Sequence, residues 1–226
     1  MSTVAIIVAA GKGNRAGGKV AKQWRTIAGK VVVDWSIDAF KNHDLVDFVI
    51  VVLPPDKTLN RNDVITCAGG QTRSISVYNG LIAAKNLSPD KVLIHDVARP
   101  AVSEDIITDI ILAIDEETGA APGLPISDAI WKVSDEEIEK TLDRNFIFRA
   151  QTPQGFPYSK ILKAHEEQSD HNAFDDVELA KKIGLRVVLK TGHKDNMKIT
   201  KPEDFLKMSK ILVKKVGYKI IKKVLD

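Results

Sequence analysis

Short β-branched and apolar runs alternate with segments whose apolar positions recur every three or four residues, nearly from one end of the chain to the other. Residues 4–9, 48–53, 64–67, 92–95, 120–125 and 187–190 read as strands. Residues 33–41, 72–85, 104–117, 159–168, 176–183 and 202–213 read as helices. A strand that returns to its sheet through a helix enters parallel to its predecessor. The alternation therefore predicts an α/β, Rossmann-like fold, with a mainly parallel sheet and helices on both faces. At 226 residues, 44% of them hydrophobic and 28% charged, the chain is expected to form one domain, residues 1–226. In such sheets ligands bind at the carboxyl ends of the strands. A glycine-rich stretch after the first strand and "HDVARP" after a later one both fall there.

One segment departs from the alternation. Residues 127–144, "SDAIWKVSDEEIEKTLDR", hold two short strand-like runs around a polar turn at 134–137. This reads as a β-hairpin without a core of its own. Such a hairpin is marginal in water, so it is expected to rest on something else, a second subunit being one choice.

Several function classes are set aside by composition. Net charge is +3, mild enough for anionic small molecules and too weak to indicate nucleic acid. Cys67 is the single cysteine, so neither an intrachain disulfide nor a CxxC zinc cluster can form. No run approaches the roughly 18 apolar residues of a membrane span. The first apolar run lacks a basic leader and a cleavage pattern, so it is expected to be a buried strand, and the cytoplasm is the expected compartment. The lysines of residues 207–226 surround Leu212, Val216, Ile220 and Val224, spaced by four, which reads as an amphipathic helix with a solvated basic face.

The loop in "VAIIVAAGKGNRAGGKVAKQ" (residues 4–23) partly matches two phosphate-binding patterns. Gly11, Gly13 and Ala16 satisfy GxGxxA, but Gly17 and Gly18 argue against a helix opening there, and Asp34, the nearest acid, sits in a helical pattern. Gly13, Gly18 and Lys19 give most of a P-loop, but Val20 stands where a magnesium-binding hydroxyl is needed. What remains is a longer glycine-rich loop carrying Lys12, Arg15, Lys19 and Lys22. Its main-chain N–H groups can approach phosphate oxygens, and so many cations suit a triphosphate better than a diphosphate.

"AAGKGNRAGGKVAKQ" resembles the nucleotide loop of sugar- and polyol-phosphate nucleotidyltransferases. With "AGGQTRSISVYNGL", "VLIHDVARP", "TLDRNFIFRAQTPQGF" and "DNMKITKPEDF", in the same order, the chain resembles the 2-C-methyl-D-erythritol 4-phosphate cytidylyltransferase family over nearly its whole length. The resemblance implies transfer of a cytidylyl group from CTP to an alditol phosphate, with release of pyrophosphate, in non-mevalonate isoprenoid synthesis. Ala9, Ala10, Gly11 and Gly13 would line CTP, with Gly70 and Ser76 at base and ribose. Arg15 and Lys22 would stabilise the transition state. Asp96, Arg99, Arg144, Thr152 and Lys198 would bind the alditol phosphate. Asp96 would also hold Mg²⁺ or another divalent cation on the triphosphate, its alternative being a turn or cap. Asp175 and Asp176 would lie on the metal side of the site or cap a helix. The hairpin would be a dimerisation arm that carries Arg144 into a partner's site, giving a homodimer with composite sites. Because the attacking phosphate is already ionised, His95 reads as structural and not as a base.

Three positions depart from the family pattern. Ala21 stands in place of a proline before the loop lysine, which predicts a more mobile loop; Val97 is bulkier than the usual small residue; and Ala129 replaces a threonine beside the arm. Two alternatives accompany this reading: a ribitol 5-phosphate cytidylyltransferase, and a nucleotide-binding regulatory domain without turnover.

Overall fold

The computed structural model of the protein describes residues 1–11, 13, 16–18, 20–168 and 173–225, with residues 218–225 as main chain only. In chain order, β1 (Thr3–Val8) precedes a small antiparallel pair, β2 (Thr26–Ile27) and β3 (Lys30–Val31). Then come α1 (Val32–Lys41), β4 (Phe48–Leu53), β5 (Ile65–Ala68), α2 (Arg73–Ala84), β6 (Lys91–Asp96), α3 (Glu104–Ala113) and β7 (Thr118–Pro125). The second half adds β8 (Ile130–Ser134), β9 (Glu137–Leu142), β10 (Phe148–Ala150), β11 (Gln154–Pro157), α4 (Tyr158–Glu166), α5 (Asp176–Lys182), β12 (Arg186–Thr191) and α6 (Asp204–Leu225).

Alternate residues of the central strand feed opposite faces, as a pleated strand buried on both sides requires. Ala5 and Ile7 of β1 pack with Val33, Ile37 and Phe40 of α1 and with Ile106, Ile107 and Ile110 of α3. Val4 and Ile6 pack with Val77 and Leu81 of α2, Ile161 of α4 and Leu179 of α5. Each such fully buried aliphatic side chain contributes about 1.5–3 kcal/mol over an exposed one. A third cluster seats Met208 and Leu212 of α6 against Ile27, Ala98 and Ala101. Among the described residues no helix is long and apolar enough to cross a membrane.

The eight-stranded sheet is mainly parallel, as the alternation predicts. β5, β4, β1 and β6 run side by side in one direction. β7 and β12 pair in parallel at the far end. β10 and β11 share the other edge of β7 and are antiparallel, β11 joining β7 to β6. Those two strands are absent from the sequence expectation because they are short and broken by Pro153 and Pro157, residues that argue against interior strands. Helix α3 ends at Ala113, short of the expected residue 117. The Asp115 carboxylate accepts from the Glu117 N–H (2.9 Å), and this turn reverses the chain into β7.

The expected hairpin is present. β8 and β9 form a separate two-stranded sheet, with Asp135 and Glu136 at positive φ (48° and 68°) in its two-residue turn. Trp131, Val133 and Ile138 on this hairpin are exposed, as are Phe146 and Phe148 just beyond it.

Candidate active site

The order of the strands reverses at β1: the chain adds β4 and then β5 on one side and returns to add β6 on the other, all parallel to it. The carboxyl ends of these strands open a crevice at a topological switch point, where open α/β sheets bind ligands. Three segments meet there: the loop after β1, the glycine pair after β5, and the end of β6.

After β1 the main chain stays anchored before it loops out. The Ala9 N–H donates to the Val52 carbonyl (2.8 Å). Buried Gln23 donates its amide to the carbonyls of Ala9 (2.9 Å) and Gly11 (2.7 Å), stapling the start of the loop to its end. Gly13 has φ +69°, and a Cβ there would stand 3.2 Å from the Lys22 nitrogen. Half-buried Lys22 donates from Nζ to the Ile199 carbonyl (2.8 Å). Arg15, with Lys12 and Lys19, lies outside the described residues. Ala21, the residue standing for proline, has φ −58°, a value proline itself would take. The Arg25 guanidinium stacks on the Phe205 ring (3.6 Å to the centroid), so the end of the loop is held against the segment entering α6.

The glycine pair makes a floor with no room for side chains. A Cβ on Gly69 would lie 2.3 Å from the Ala10 Cβ, and one on Gly70 would lie 2.0 Å from Ile75 Cγ2. Buried Ser76 accepts from the Gly70 N–H (3.1 Å) and donates to the Thr72 carbonyl (2.9 Å), so its hydroxyl shapes this turn. Thr72 caps α2 by accepting from the Ile75 N–H (3.1 Å).

At the end of β6, Asp96 is the centre of a cation cluster. Its Oδ1 accepts from Arg73 Nε (3.1 Å) and its Oδ2 from Lys198 Nζ (2.7 Å), and Arg99 Nε stands 4.0 Å from Oδ2. Burial pushes this carboxyl up, but the attraction of Arg73, Lys198 and Arg99 outweighs it and holds the group far below the usual carboxylate range. The fork of Arg99 donates to the carbonyls of Asn196 (2.8 Å) and Ala150 (3.2 Å), which leaves its buried Nε–H without a partner among the described residues. Burial lowers the Arg99 pKa, with Asp96 opposing. Lys198, with 37% of its side chain exposed, is the cation of this cluster most open to solvent.

His95 and Thr152 belong to the frame of the site. The Arg99 carbonyl can only accept, so His95 donates from Nε2 (3.2 Å) and takes the Thr152 hydroxyl on Nδ1 (3.1 Å). The Thr152 oxygen accepts the Asp96 N–H (3.1 Å) in turn. Burial, reinforced by Arg99 and Arg73, pushes the His95 pKa down to about 3, so the ring is neutral. Val97 packs into the hydrophobic core beside α1, and its bulk is absorbed there.

The structure thus gathers Asp96, Arg99, Thr152 and Lys198 at one end of the crevice. Ala9, Ala10, Gly11, Gly70 and Ser76 form its other wall, with Gly13 in the loop above. Arg144 stands elsewhere, exposed at the foot of the hairpin, its guanidinium donating to the Ser127 carbonyl. Asp175 caps α5, accepting from the Glu178 N–H (3.0 Å), while Asp176 is buried against Arg73 (2.8 Å). Arg73 and Gln23 are the residues sequence reasoning left unassigned. Arg73 had a signal: a cation in the first turn of a helix opposes the macrodipole, so something must compensate it.

As a metal ligand Asp96 fits poorly. Both its oxygens are engaged by cations, and among the described residues no three His, Cys, Asp or Glu side chains converge. Magnesium bound by protein needs at least one or two carboxylates free to face it.

The family model described as 2-C-methyl-D-erythritol 4-phosphate cytidylyltransferase (IspD) matches residues 3–214. A bifunctional enzyme IspD/IspF of Ruegeria sp. (strain TM1040) is 44% identical over 218 residues, covering 94% of this chain and 56% of the relative. The chain thus spans about half the length of that relative. The 2-C-methyl-D-erythritol 4-phosphate cytidylyltransferase of Roseobacter denitrificans is 43% identical over 223 residues, covering 96% of this chain and all (100%) of the relative. Among solved structures, the enzyme of that name from Francisella tularensis aligns with a TM-score of 0.80 at 27% identity, over 93% of this chain and 100% of the other.

Proposed function

The chain belongs to the 2-C-methyl-D-erythritol 4-phosphate cytidylyltransferase family, and from that premise we propose that it transfers the cytidylyl group of CTP to 2-C-methyl-D-erythritol 4-phosphate, releasing pyrophosphate, in non-mevalonate isoprenoid synthesis in the cytoplasm. One observation carries the reading: the crevice joins a side-chain-free floor of Gly69 and Gly70, suited to a flat base, to a cation cluster around Asp96, suited to a phosphate. The cluster of Arg73, Arg99 and Lys198 against Asp96 and Asp176 has one positive charge in excess, which favours an incoming phosphate.

A phosphate oxygen of the alditol phosphate attacks the α-phosphorus of CTP, and the bond to the β-phosphate oxygen breaks. The nucleophile arrives ionised, so the protein's work is to orient it and to neutralise charge in the transition state. Lys22 and Arg15 supply that charge, Lys22 leaving the Ile199 carbonyl for a phosphate oxygen. Lys198 grips the substrate phosphate, and the buried Nε–H of Arg99 is a donor still open to it. His95 moves no proton, since burial keeps it neutral. A divalent cation such as Mg²⁺, arriving with the nucleotide, would neutralise charge on the triphosphate without Asp96 as its ligand.

The exposed hairpin reaches a second copy of the chain and brings Arg144 to the partner's alditol phosphate. Its apolar Trp131, Val133 and Ile138, exposed on a hairpin that pairs with no other strand among the described residues, support this. Mixed dimers of Arg15→Ala and Arg144→Ala should recover activity through one competent site per heterodimer. No recovery after verified subunit exchange would count against composite sites. Similarity to curated methylerythritol enzymes does not favour ribitol phosphate transfer or a regulatory domain without turnover. The direct test is pyrophosphate release from CTP and Mg²⁺ with each alditol phosphate in turn: turnover with the methylerythritol substrate is expected, and turnover with ribitol 5-phosphate alone would reassign the substrate.

A further inference from the structure

We propose that Arg73 is a positioning residue for the second substrate: tethered from behind by Asp176, it holds Asp96 so that Lys198 and Arg99 remain available to the alditol phosphate. This rests on the reading of Lys198 and Arg99 as phosphate-binding cations.

A chain of alternating partners leads from the interior to the crevice. His165, fully buried on α4, donates from Nε2 to Asp176 Oδ1 (3.2 Å). Asp176, at the start of α5, also has its N–H held by the Gln154 side chain (3.1 Å), so its carboxylate is fixed in place. Its Oδ2 accepts from Arg73 Nη1 (2.8 Å), and Arg73 Nε donates to Asp96 Oδ1 (3.1 Å). Asp96 Oδ2 then meets Lys198 (2.7 Å). Arg73 thus uses two N–H groups of one rigid planar fork to bridge two carboxylates at a fixed spacing, which the compact ammonium of a lysine on a flexible stem does not hold.

The consequence follows from charge sharing. While Arg73 occupies Oδ1, Asp96 presents only one oxygen to Lys198. Without Arg73, or with Arg73 released by Asp176, the Asp96 carboxylate turns toward Lys198 and Arg99 and closes on both. The alditol phosphate then competes with a buried carboxylate for its own cations. Arg73 also opens α2 directly after the Gly69–Gly70 floor, so the same side chain ties the base side of the crevice to the phosphate side.

Kinetics on the 226-residue chain, with each substrate varied in turn, separate this from a structural role. Replacing the rigid fork by a compact ammonium that cannot hold both carboxylates at their present spacing should raise the KM for the alditol phosphate about tenfold in Arg73→Lys, leaving the KM for CTP within about twofold. Asp176→Asn should raise the same KM in an otherwise wild-type background and add less in the Arg73→Lys background, because Asp176 acts through Arg73. Unchanged KM values with fewer active sites, equal rises for both substrates, or additive effects would overturn the proposal. Insolubility of both variants would assign the pair to the fold and overturn it as well. If the wild-type enzyme releases no pyrophosphate, the parent reading fails first, and this inference with it.

Discussion

The neutral, interior state of His95 makes the protein sensitive to mild acid in a calculable way. Its pKa in the folded protein is pushed down to about 3 by burial, against about 6.5 for an unperturbed histidine. Between those values the unfolded chain binds a proton that the folded chain refuses, so stability rises with pH across the window. The contribution is complete above pH about 6.5 and is lost progressively as pH falls toward 3. The slope inside the window is about 1.4 kcal/mol per pH unit, so by pH 4.5 the protein should have lost on the order of 2–3 kcal/mol relative to pH 7.5 from this group. Urea unfolding followed by tryptophan fluorescence at intervals from pH 7.5 to 4.5 measures it; Asp96 and Asp176 add to the loss only at the acid end, below about pH 5. His95→Gln can place its amide N–H at the Arg99 carbonyl, but its one acceptor oxygen does not then stand where Nδ1 takes the Thr152 hydroxyl. It should cost about 1–3 kcal/mol at pH 7.5 and show a correspondingly flatter pH dependence. Parallel curves for the two proteins would refute a buried neutral His95.

Three further outcomes are expected. Gly69→Ala should abolish CTP binding in a calorimetric titration, since its Cβ would stand 2.3 Å from that of Ala10; an unchanged Kd would remove the glycine floor from the nucleotide site. Arg15→Ala and Lys22→Ala should fold and lose about a hundredfold or more in kcat, the usual cost of a donor aimed at a transition state; near-normal turnover would strike either from the mechanism. Ala21→Pro should raise stability by about 0.4–1 kcal/mol, because φ at residue 21 is −58°. A lower Tm would mean that the Ala21 N–H or the preceding residue needs freedom that proline denies.

Much of the fold could be read in advance because periodicity reports burial directly. β1, β4 and β6 are apolar on both faces, and their neighbouring helices carry one-sided stripes. β10 and β11 were not legible: Gly155 and Pro157 weaken any strand signal, and Gly155 is there because a Cβ would strike Ile110 Cγ2 at 2.5 Å, a contact only the tertiary structure creates. In the site, Lys22 could be picked out as a cation on a glycine-rich loop and Asp96 as a carboxylate closing a strand, whereas Lys198 was reached through the family resemblance. The work of Gln23, Arg73 and Asp176 depends on partners that are distant in sequence, such as Asp176 for Arg73, 103 residues away. Thr152 and Ser76 show the opposite case. Both sit in the site, yet their hydroxyls are engaged in shaping it, with His95 and Asp96 for one and Gly70 and Thr72 for the other.

The central claim is that this crevice joins CTP to an alditol phosphate. Phosphorus NMR of the protein with CTP, Mg²⁺ and 2-C-methyl-D-erythritol 4-phosphate follows both products at once. Loss of CTP should be matched, mole for mole, by a new diphosphate diester and by pyrophosphate. CTP left intact by folded protein, or converted to CMP and pyrophosphate with the alditol phosphate untouched, would contradict it.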